Sequence, residues 1–543
     1  MKEALRIIVR NLVIGSSLAA ILAVAGVCQA ATGHFVAEGA AKDVQVIGRE
    51  WKAGNGSLVC SGTGNLLLAG KQCGPGDFTV TARLTIEQLA KSAATFMIDS
   101  SHFGFDGQEG KMFTDGAVFG GKQFLGPAVF KDGQPFDFQA TRRGDKLTIE
   151  IDGKTVVTGS LDASATAQFG FRPWRSTMRI AGFSATGDLR DAPKPPADQP
   201  VFVPGKEGYP RYRIPAGVVT TKGTLLAFCE GRTGGDSGDI DIVLKRSTDG
   251  GKTWGPLQVV WNDGGNTCGN SAPVVDLETG TIWLLLTWNL GTDHEGAIMA
   301  GTSKEVRHVY VTHSVDDGLT WAKPERISDT TRQPHWRWYA TGPVNGIQLT
   351  RGAHKGRLLI PANHSDHGQG GHPYRSHVIY SDDHGKSWKL GGIEEDRTNE
   401  SSVAELSDGS VLQAMRSYHG KNRRAMAVSR DGGSTWGKVY LDQALDTPVC
   451  QASLLRFSWP ENAAQGGKSR LLFASPAGST RARMTVWLSY DEGKTWPVRK
   501  LIHGGDSAYS NLLALPDGRI GLLYEKDGYK TITLVTFDLA WLE

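Results

Sequence analysis

Two short segments carry the residues most suited to chemistry, an arginine motif and a glycine-rich acidic loop. Arg213 stands in Tyr-Arg-Ile-Pro, and the segment 230–242 reads Glu-Gly-Arg-Thr-Gly-Gly-Asp-Ser-Gly-Asp-Ile-Asp-Ile. Arginine presents a planar fork of donors that matches a carboxylate, and an acid on a flexible loop can transfer protons above a pocket. A single arginine is better explained as a solvated charge or an ion pair of the scaffold, so its assignment depends on the surrounding fold.

Composition narrows the class of protein. The chain has 543 residues, of which 59 are basic and 56 acidic, and its formal charge of +3 does not indicate a nucleic-acid partner. No Cys-x-x-Cys or Cys/His spacing typical of zinc occurs, and we expect neither a metal nor another cofactor. In an oxidising compartment, Cys60 with Cys73 and Cys229 with Cys268 are plausible disulfides, which leaves Cys450 as the odd cysteine.

A repeated turn motif defines the second half of the chain. Ser-x-Asp-x-Gly-x-Thr/Ser-Trp occurs five times, with neighbouring copies 48 to 67 residues apart, the size of one four-stranded blade. In each copy we expect the Asp to accept hydrogen bonds from turn amides, the Gly to supply a left-handed position and the Trp to cap the hairpin. This Asp-box repeat predicts a six-bladed β-propeller over 205–543 in which one blade has lost its copy. The copies begin at Ser247, Ser314, Ser381, Ser429 and Ser489.

The first half of the chain has a different pattern. Residues near 35–188 alternate apolar and polar side chains, as in the segment Lys146-Leu-Thr-Ile-Glu-Ile, which ends in an Asp-Gly turn. Such alternation predicts antiparallel, half-buried strands. We therefore predict an all-β protein with a β-sandwich over 31–190, weakly similar to concanavalin-like (lectin-like) jelly rolls, for which sugar binding and a spacer role are equally open. Residues 191–204, with four prolines in the first ten positions, predict an extended linker.

The first thirty residues are predicted to be a signal peptide. Three basic residues, Lys2, Arg6 and Arg10, precede an apolar run over 12–27. That run is shorter than the roughly 20 residues that span a bilayer, and a small-residue cleavage site follows it after Ala30. We therefore predict an exported protein with no membrane span in the mature chain, and an uncleaved anchor is the alternative.

The Tyr-Arg-Ile-Pro motif would lie on the first inner strand of the propeller, ahead of the Asp boxes. On these motifs, residues 205–543 resemble the exo-sialidases, or neuraminidases, whose hallmark is Tyr/Phe-Arg-Ile-Pro followed by Asp boxes. Asp boxes also occur in non-catalytic propellers, so other residues must carry the function. The resemblance implies an exo-α-sialidase that removes terminal sialic acids from glycans, glycoproteins or glycolipids with retention of configuration and without a cofactor.

The resemblance also implies a clamp of three arginines for the carboxylate of sialic acid. The matching positions are Arg213, Arg416 in Ala-Met-Arg-Ser and Arg481 in Ser-Thr-Arg-Ala-Arg. Arg483 is the alternative to Arg481, and Arg232 matches a further family arginine near the substrate. Planar fixed cations are well matched to a carboxylate that is ionised at ordinary pH.

By the same resemblance, Tyr509 is the nucleophile, in Ser-Ala-Tyr-Ser-Asn-Leu, where Asn511 replaces the family's aspartate. A phenol avoids the repulsion that a carboxylate would meet at a carbon already bearing one. Because its ordinary pKa is near 10, it needs a base, and Glu400 matches the family's base, with Glu405 as the alternative. Ordinary packing on a propeller strand is the other interpretation of the tyrosine.

The acid/base is expected in the glycine-rich loop, where three aspartates compete. The family pattern selects Asp236, with Asp239 as the alternative and Asp241 as a structural residue. Glu525, in Leu-Leu-Tyr-Glu, matches a residue that orients the first arginine. Two rival functions share these features: a trans-sialidase that passes the sugar to an acceptor, and a propeller that binds sialic acid without catalysis.

Overall fold

The computed structural model describes residues 31–47, 51–62, 65–89, 95–99, 101–161, 166–192, 196, 198–365, 374–462 and 466–543. Nearly all regular structure in these residues is β-strand, which confirms the predicted fold class. The predicted signal peptide lies outside the described residues. Within them, no helix combines the length and the apolar character that crossing a lipid bilayer requires.

The strands before residue 192 form an N-terminal domain of two layers. They are β1 (Ala31–Ala37), β2 (Ala40–Ala41), β3 (Val44–Ile47), β4 (Lys52–Gly54), β5 (Ser57–Ser61), β6 (Leu66–Ile86), β7 (Thr95–Ile98), β8 (Ser101–Asp106), β9 (Lys111–Asp115), β10 (Gln123–Pro127), β11 (Pro135–Arg143), β12 (Lys146–Ile151), β13 (Lys154–Ser160), β14 (Ala167–Arg172) and β15 (Thr177–Asp191). The long strand β6 joins the layers, because its first half pairs with β3 and β14 and its second half with β11 and β15. Phe96 of one layer lies 4.8 Å from Phe138 of the other, between ring centroids, so the layers share one core.

Burial alternates along these strands, as the sequence predicted. In β12, Leu147, Ile149 and Ile151 are buried, whereas the residues between them are more exposed. The two packed layers agree with a β-sandwich. The similarity to lectin-like jelly rolls and a sugar ligand for this domain remain predictions.

The expected disulfides are wrong for the described part of the chain, where all the cysteines are free and buried. Cys60 lies opposite Met178 and Cys73 lies opposite Leu189, and both of these partners belong to β15. Because an extended strand rises about 3.3 Å per residue, these two cysteines are tens of ångströms apart, far beyond disulfide reach. The other expected pair, at 229 and 268, packs into two separate hydrophobic clusters.

The strands after residue 197 form six blades of a β-propeller among the described residues. In the first three blades the strands are β17 (Arg211–Val219), β18 (Leu225–Arg232), β19 (Ile240–Ser247) and β20 (Gln258–Trp261); β21 (Thr267–Val275), β22 (Ile282–Asn289), β23 (His308–Ser314) and β24 (Glu325–Arg326); β25 (Tyr339–Thr341), β26 (Ile347–Gln348), β27 (Leu358–Ser365), β28 (Tyr374–Ser381) and β29 (Lys389–Asp396). The last three contain β30 (Thr398–Glu405), β31 (Val411–Ser417), β32 (Arg423–Ser429) and β33 (Tyr440–Asp446); β34 (Ser453–Ser458), β35 (Arg470–Pro476), β36 (Ala482–Ser489) and the first half of β37 (Val498–Ala514); the second half of β37, β38 (Ile520–Lys526), β39 (Thr531–Phe537) and β16 (Asp198–Phe202). Each blade is antiparallel, and its first strand is the inner one.

The ring is closed by β16, which comes from the start of the propeller and pairs with β39 at its end. The predicted linker over 191–204 is therefore wrong in part, because residues 198–202 form the outer strand of blade 6. Pro200 is tolerated there because β16 pairs on one side only, and an edge strand accommodates a residue without an N–H.

All five Asp boxes form the same hydrogen-bonded turn, as predicted. In the first, Ser247 Oγ donates to Asp249 Oδ1 at 2.7 Å and accepts from Gly251 N at 2.9 Å. Thr253 donates to the same aspartate through N at 2.9 Å and Oγ1 at 2.6 Å. The boxes follow β19, β23, β28, β32 and β36, whereas β39 of blade 6 leads into a helix. The described α-helices are α1 (Glu295–Ala300), α2 (Ser328–Thr331) and α3 (Leu539–Leu542), and a 3-10 turn covers Ala117–Phe119.

Candidate active site

Tyr509 and Glu400 lie side by side on the inner strands of blades 6 and 4. Tyr509 Oη donates to Glu400 Oε1 at 2.5 Å, and the tyrosine is only 5% exposed. Glu400 Oε2 accepts from Arg416 Nη1 at 2.8 Å, and the same nitrogen lies 3.2 Å from Tyr509 Oη. Burial, followed by the charge of Glu400, raises the pKa of Tyr509 well above its ordinary value, so the phenol is protonated at rest. These groups can pass the phenol proton to the carboxylate when the phenol oxygen forms a bond.

Glu525, on β38, connects the first inner strand of the propeller with the strand that carries Tyr509. Its carboxylate accepts from Arg213 Nε at 2.6 Å, from Ile214 N at 2.9 Å and from Tyr509 N at 3.0 Å. Ile214 has a φ of 62°, a left-handed conformation that is costly for a β-branched residue. The register of β17 with β18 shifts between Arg213 and Ala216. The buried carboxylate therefore stabilises a strained bulge that sets the position of the arginine.

Three arginines from separate parts of the propeller converge on the ring of Tyr509. The guanidinium carbons of Arg213 and Arg481 lie 5.7 Å and 5.4 Å from the ring centroid, and Arg416 contacts the hydroxyl. Arg481 directly precedes β36, and its carbonyl accepts from Ser507 N, on the strand of the tyrosine, at 2.9 Å. Fixed planar cations in this arrangement can hold an anion with coplanar oxygens beside the phenol.

Two alternatives left open by the sequence lie elsewhere. Arg483 Nη2 donates to a backbone carbonyl of its own loop at 2.9 Å. Glu405 accepts from the backbone N–H groups of the loop at 350–351, at distances of 2.8 to 3.0 Å. Neither has a described contact with the tyrosine, so the geometry favours Arg481 and Glu400.

Asp236 lies at the mouth of the site, on the glycine-rich loop after β18. Its side chain is 87% exposed, and it forms an ion pair with Arg232 while Arg213 Nη1 approaches to 3.9 Å. Arg232 is in turn held by Glu230, which accepts from its Nε at 2.8 Å. Partial desolvation would raise the pKa of Asp236, but the charges of Arg232 and then Arg213 lower it below its ordinary value. This aspartate is therefore ionised when the site is empty.

The rival aspartates of the same loop have local contacts. Asp241 Oδ2 accepts from Tyr209 Oη at 2.6 Å and from Asn262 Nδ2 at 2.8 Å, as a structural residue would. The backbone carbonyl of Asp239 accepts from Thr233 N at 3.2 Å. Neither carboxylate has a described contact with the arginines around the tyrosine.

Two further residues at the site were not expected from the sequence. The ring of Tyr529 lies 3.9 Å from the guanidinium carbon of Arg213, and its hydroxyl accepts from Arg481 Nη1 at 3.2 Å. Arg307 is buried, its Nη2 donates to Asn270 Oδ1 at 2.8 Å, and burial lowers its pKa to about 10. Neither residue belongs to a repeated motif. Tyr529 contacts arginines of blades 1 and 5, whereas Arg307 bonds to Asn270 on a strand of its own blade. Only the assembled fold could identify them.

Known proteins resemble both the sequence and this fold. The family model described as a BNR repeat-like domain matches residues 223–522. The chain is 39% identical over 388 residues to a sialidase of Micromonospora viridifaciens, an alignment that covers 68% of this chain and 59% of that protein. It is 32% identical over 373 residues to an exo-alpha-sialidase of Aspergillus fumigatus, covering 62% of this chain and 86% of that protein. The chain thus spans about six tenths of the length of the Micromonospora relative.

A solved structure extends the similarity to the fold of most of the chain. The Hadza microbial sialidase Hz136 aligns with a TM-score of 0.58 and 24% identity, over 87% of this chain and 95% of that one. The family match covers more than half of the chain, and it includes Tyr509 and three of the residues around its phenol, Glu400, Arg416 and Arg481. The chain belongs to the bacterial-type exo-sialidase family with Asp-box (BNR) repeats.

Proposed function

We propose that the protein is an exo-α-sialidase, a glycoside hydrolase that releases terminal sialic acids from sialylated glycans with retention of configuration. The observation that carries the proposal is the 2.5 Å hydrogen bond from Tyr509 to Glu400, surrounded by three arginines. A neutral phenol with an adjacent base suits attack on a carbon that already bears a carboxylate.

The substrate carboxylate would be bound by Arg213, Arg416 and Arg481. Arg213 directs Nε and Nη2 toward its carboxylate partner, which leaves Nη1 for the substrate. Arg416 directs Nη1 toward Glu400, which leaves its Nη2 for the substrate. Arg481 has no carboxylate partner among the residues that the structure describes, and its contacts at 3.2 and 3.4 Å go to neutral oxygens. Several forked donors on one anion fix both its position and its orientation.

The proposed reaction is a double displacement. In the first step, the phenol oxygen of Tyr509 forms a bond to the anomeric carbon while the bond from that carbon to the glycosidic oxygen breaks. Glu400 takes the phenol proton, and Asp236 gives a proton to the departing oxygen. In the second step, water attacks the same carbon, Asp236 takes a proton from the water, and the tyrosine leaves and regains its proton from Glu400. Two displacements at one carbon retain its configuration.

Asp236 can donate a proton only if its pKa rises when the substrate binds. In the empty site the neighbouring arginines lower that pKa. A bound carboxylate neutralises part of their positive charge and therefore raises the pKa of the aspartate toward the pH of the reaction. Three glycines within 234–238 make the loop compliant enough to bring the exposed acid over the substrate.

The proposal is tested by hydrolysis of a fluorogenic α-sialoside, with NMR detection of the first anomer of free sialic acid. We expect the α-anomer to appear first. A sialosyl fluoride with an additional fluorine beside the anomeric carbon should label Tyr509, which peptide mass spectrometry would identify. Initial release of the β-anomer, or a label on another residue, would contradict the tyrosine mechanism.

The same preparation separates the rival functions. If lactose in the assay becomes sialylated at the expense of free sialic acid, the protein is a trans-sialidase. If calorimetry detects sialic acid binding but no sialoside is cleaved, the propeller is a binding module.

Export is part of the proposal. It is tested by sequencing the N terminus of the protein recovered from outside the cytoplasm. A mature chain that begins at Ala31 is expected, and one that begins at Met1 would contradict cleavage.

A further inference from the structure

Tyr529 lies at the tip of the hairpin between β38 and β39, in an unusual backbone conformation. Asp527, Gly528 and Tyr529 have φ values of 52°, 66° and 69°, so three successive residues are left-handed. This conformation is costly for a bulky residue, and it persists where the surroundings enforce it, often at functional sites.

The turn is anchored to β37, the strand that carries the proposed nucleophile. Asp527 N donates to the carbonyl of Asp506 at 2.8 Å, and Asp527 Oδ1 lies 2.9 Å from His503 Nε2. Lys530 N donates to the carbonyl of Lys526 at 3.0 Å and closes the hairpin. The tip is therefore fixed relative to the phenol of the site.

Tyr529 contacts two of the three clamp arginines. Its ring covers the guanidinium of Arg213 at 3.9 Å, and its hydroxyl accepts from Arg481 Nη1 at 3.2 Å. Arg213 pairs with Glu525 and Arg416 pairs with Glu400, so each of these two arginines has a carboxylate partner. In the described residues Arg481 has none, and its other side-chain hydrogen bond goes to the carbonyl of Val449 at 3.4 Å. The hydroxyl of Tyr529 is thus the closest acceptor that orients this arginine.

We propose that Tyr529 is a positioning residue of the carboxylate clamp, and this inference rests on the proposed function. Its hydroxyl holds Arg481 toward the site, so less side-chain entropy is lost when the substrate binds. Its ring stabilises Arg213 by a cation–π contact and excludes water from one face of the guanidinium. Together these contacts keep two cations directed at one carboxylate before any substrate arrives.

The test compares Tyr529→Phe, which removes the hydroxyl, with Tyr529→Leu, which also removes the ring. Tyr529 is 36% exposed, so neither variant opens the core. We expect the KM for a sialoside to rise about tenfold in Tyr529→Phe, because a hydrogen bond to a charged group is lost. We expect a further rise of about two- to fivefold in Tyr529→Leu. The kcat should fall far less than KM rises, because the reacting groups are untouched.

A binding measurement provides a readout that a purely structural role would not change. Calorimetry with free sialic acid and with its C1 carboxamide measures how strongly the clamp prefers the charged ligand. That preference should fall about tenfold in Tyr529→Phe, since the hydroxyl acts through Arg481 on the carboxylate. Tyr440→Phe is the matched control, because Tyr440 is a similarly exposed tyrosine, 44% exposed, on β33. The Tyr440→Phe variant should prefer the acid over the amide as strongly as the wild type does.

The outcomes separate the two proposals. An unchanged preference in Tyr529→Phe, with an active wild type and an unchanged melting temperature, would overturn the role of Tyr529 alone. A wild type that neither cleaves the sialoside nor prefers the acid over the amide would reject the proposed function, and the clamp with it.

Discussion

The Asp boxes and the arginine-lined site use the same side-chain chemistry over very different chain distances. In the second box, Asp316 takes its hydrogen bonds from residues within four positions. At the site, Glu525 bonds Arg213 across 312 residues, and Tyr509 bonds Glu400 across 109. Each box therefore stabilises its own blade, whereas the site exists only when distant blades are assembled.

This difference divides the carboxylates of the propeller into two groups. Carboxylates bonded within their own turn contribute to stability and can be lost one at a time. The carboxylates of the proposed site, Glu400 and Glu525, set the positions of the groups proposed to react, so their loss is expected to appear first in turnover. Substitutions that compare the two groups test this division directly.

The largest effect is expected at the nucleophile. Tyr509→Phe removes the phenol oxygen and keeps the packing of a buried ring, so the fold should persist while kcat falls by about 10³-fold or more. Steady-state kinetics on a fluorogenic sialoside, with the melting temperature as control, measures this. Near-normal turnover would show that the tyrosine is a packing residue and that the contrast between the site and the Asp boxes has no catalytic meaning.

The next effect is expected from Glu525→Gln, which weakens the bond to Arg213 but retains the shape of the side chain. We expect kcat/KM to fall by about 10- to 100-fold, because the arginine and the strained bulge lose a charged acceptor. Glu492→Gln is the matched control, since Glu492 also bonds across blades, to Ser407, and pairs with Arg456 beside the fifth Asp box, but has no described contact with Tyr509 or the three arginines. It should lower the melting temperature and leave kcat/KM within about twofold. Equal loss of activity in both variants would remove the proposed division.

A pH profile probes how the arginines act on the acid. Burial raises the pKa of Asp236, whereas Arg232 lowers it more than any other neighbour does. Arg232→Gln should therefore raise that pKa, keep the acid protonated to higher pH and move the alkaline limb of kcat/KM upward. Arg430 lies in the fourth Asp box and its side chain is 84% exposed, so Arg430→Gln should leave the alkaline limb of kcat/KM unchanged. If the alkaline limb of kcat/KM stays at the same pH in both variants, the catalytic acid is a group other than Asp236.

The smallest effect on activity is expected from Asp316→Ala in the second Asp box. The turn loses its bonds to Ser314 and Thr320, which should lower the free energy of unfolding by about 1–2 kcal/mol. The kcat/KM should remain within about twofold of the wild-type value. Denaturant unfolding and kinetics on the same sample check both statements, and a tenfold loss of activity with unchanged stability would contradict them.

The parts of the molecule that the sequence could predict are those with a short-range signal. The Asp boxes, their number and the alternation in β12 follow from spacings of a few residues, and they confirm the expected fold class. The proposed site residues Arg213 and Glu400 were found through resemblance, because nothing local distinguishes them from surface charges. Their common location becomes evident only in the folded propeller.

The remaining features depend on contacts that no short segment encodes. The proposed role of Tyr529 depends on its contacts with two arginines on other strands. Its neighbours in the sequence indicate an ordinary hairpin turn. The expected disulfides are wrong because an oxidising compartment permits a bond without bringing two cysteines together, and β6 places Cys73 far from Cys60. The four prolines of 191–200 predict a linker that includes residues 198–202. The edge strand that accommodates Pro200 is not visible in the sequence, because its partner β39 is more than 300 residues away.

The seam between β16 and β39 also has a consequence for how the protein is made. Residues 198–202 leave the ribosome before any blade exists, yet their partner strand β39 is synthesised after all the other described strands of the propeller. The N-terminal domain can fold early, whereas the nascent propeller keeps an open edge until β39 has been synthesised. Removal of the hairpin formed by β38 and β39 would therefore open the ring and abolish the proposed activity in one cut.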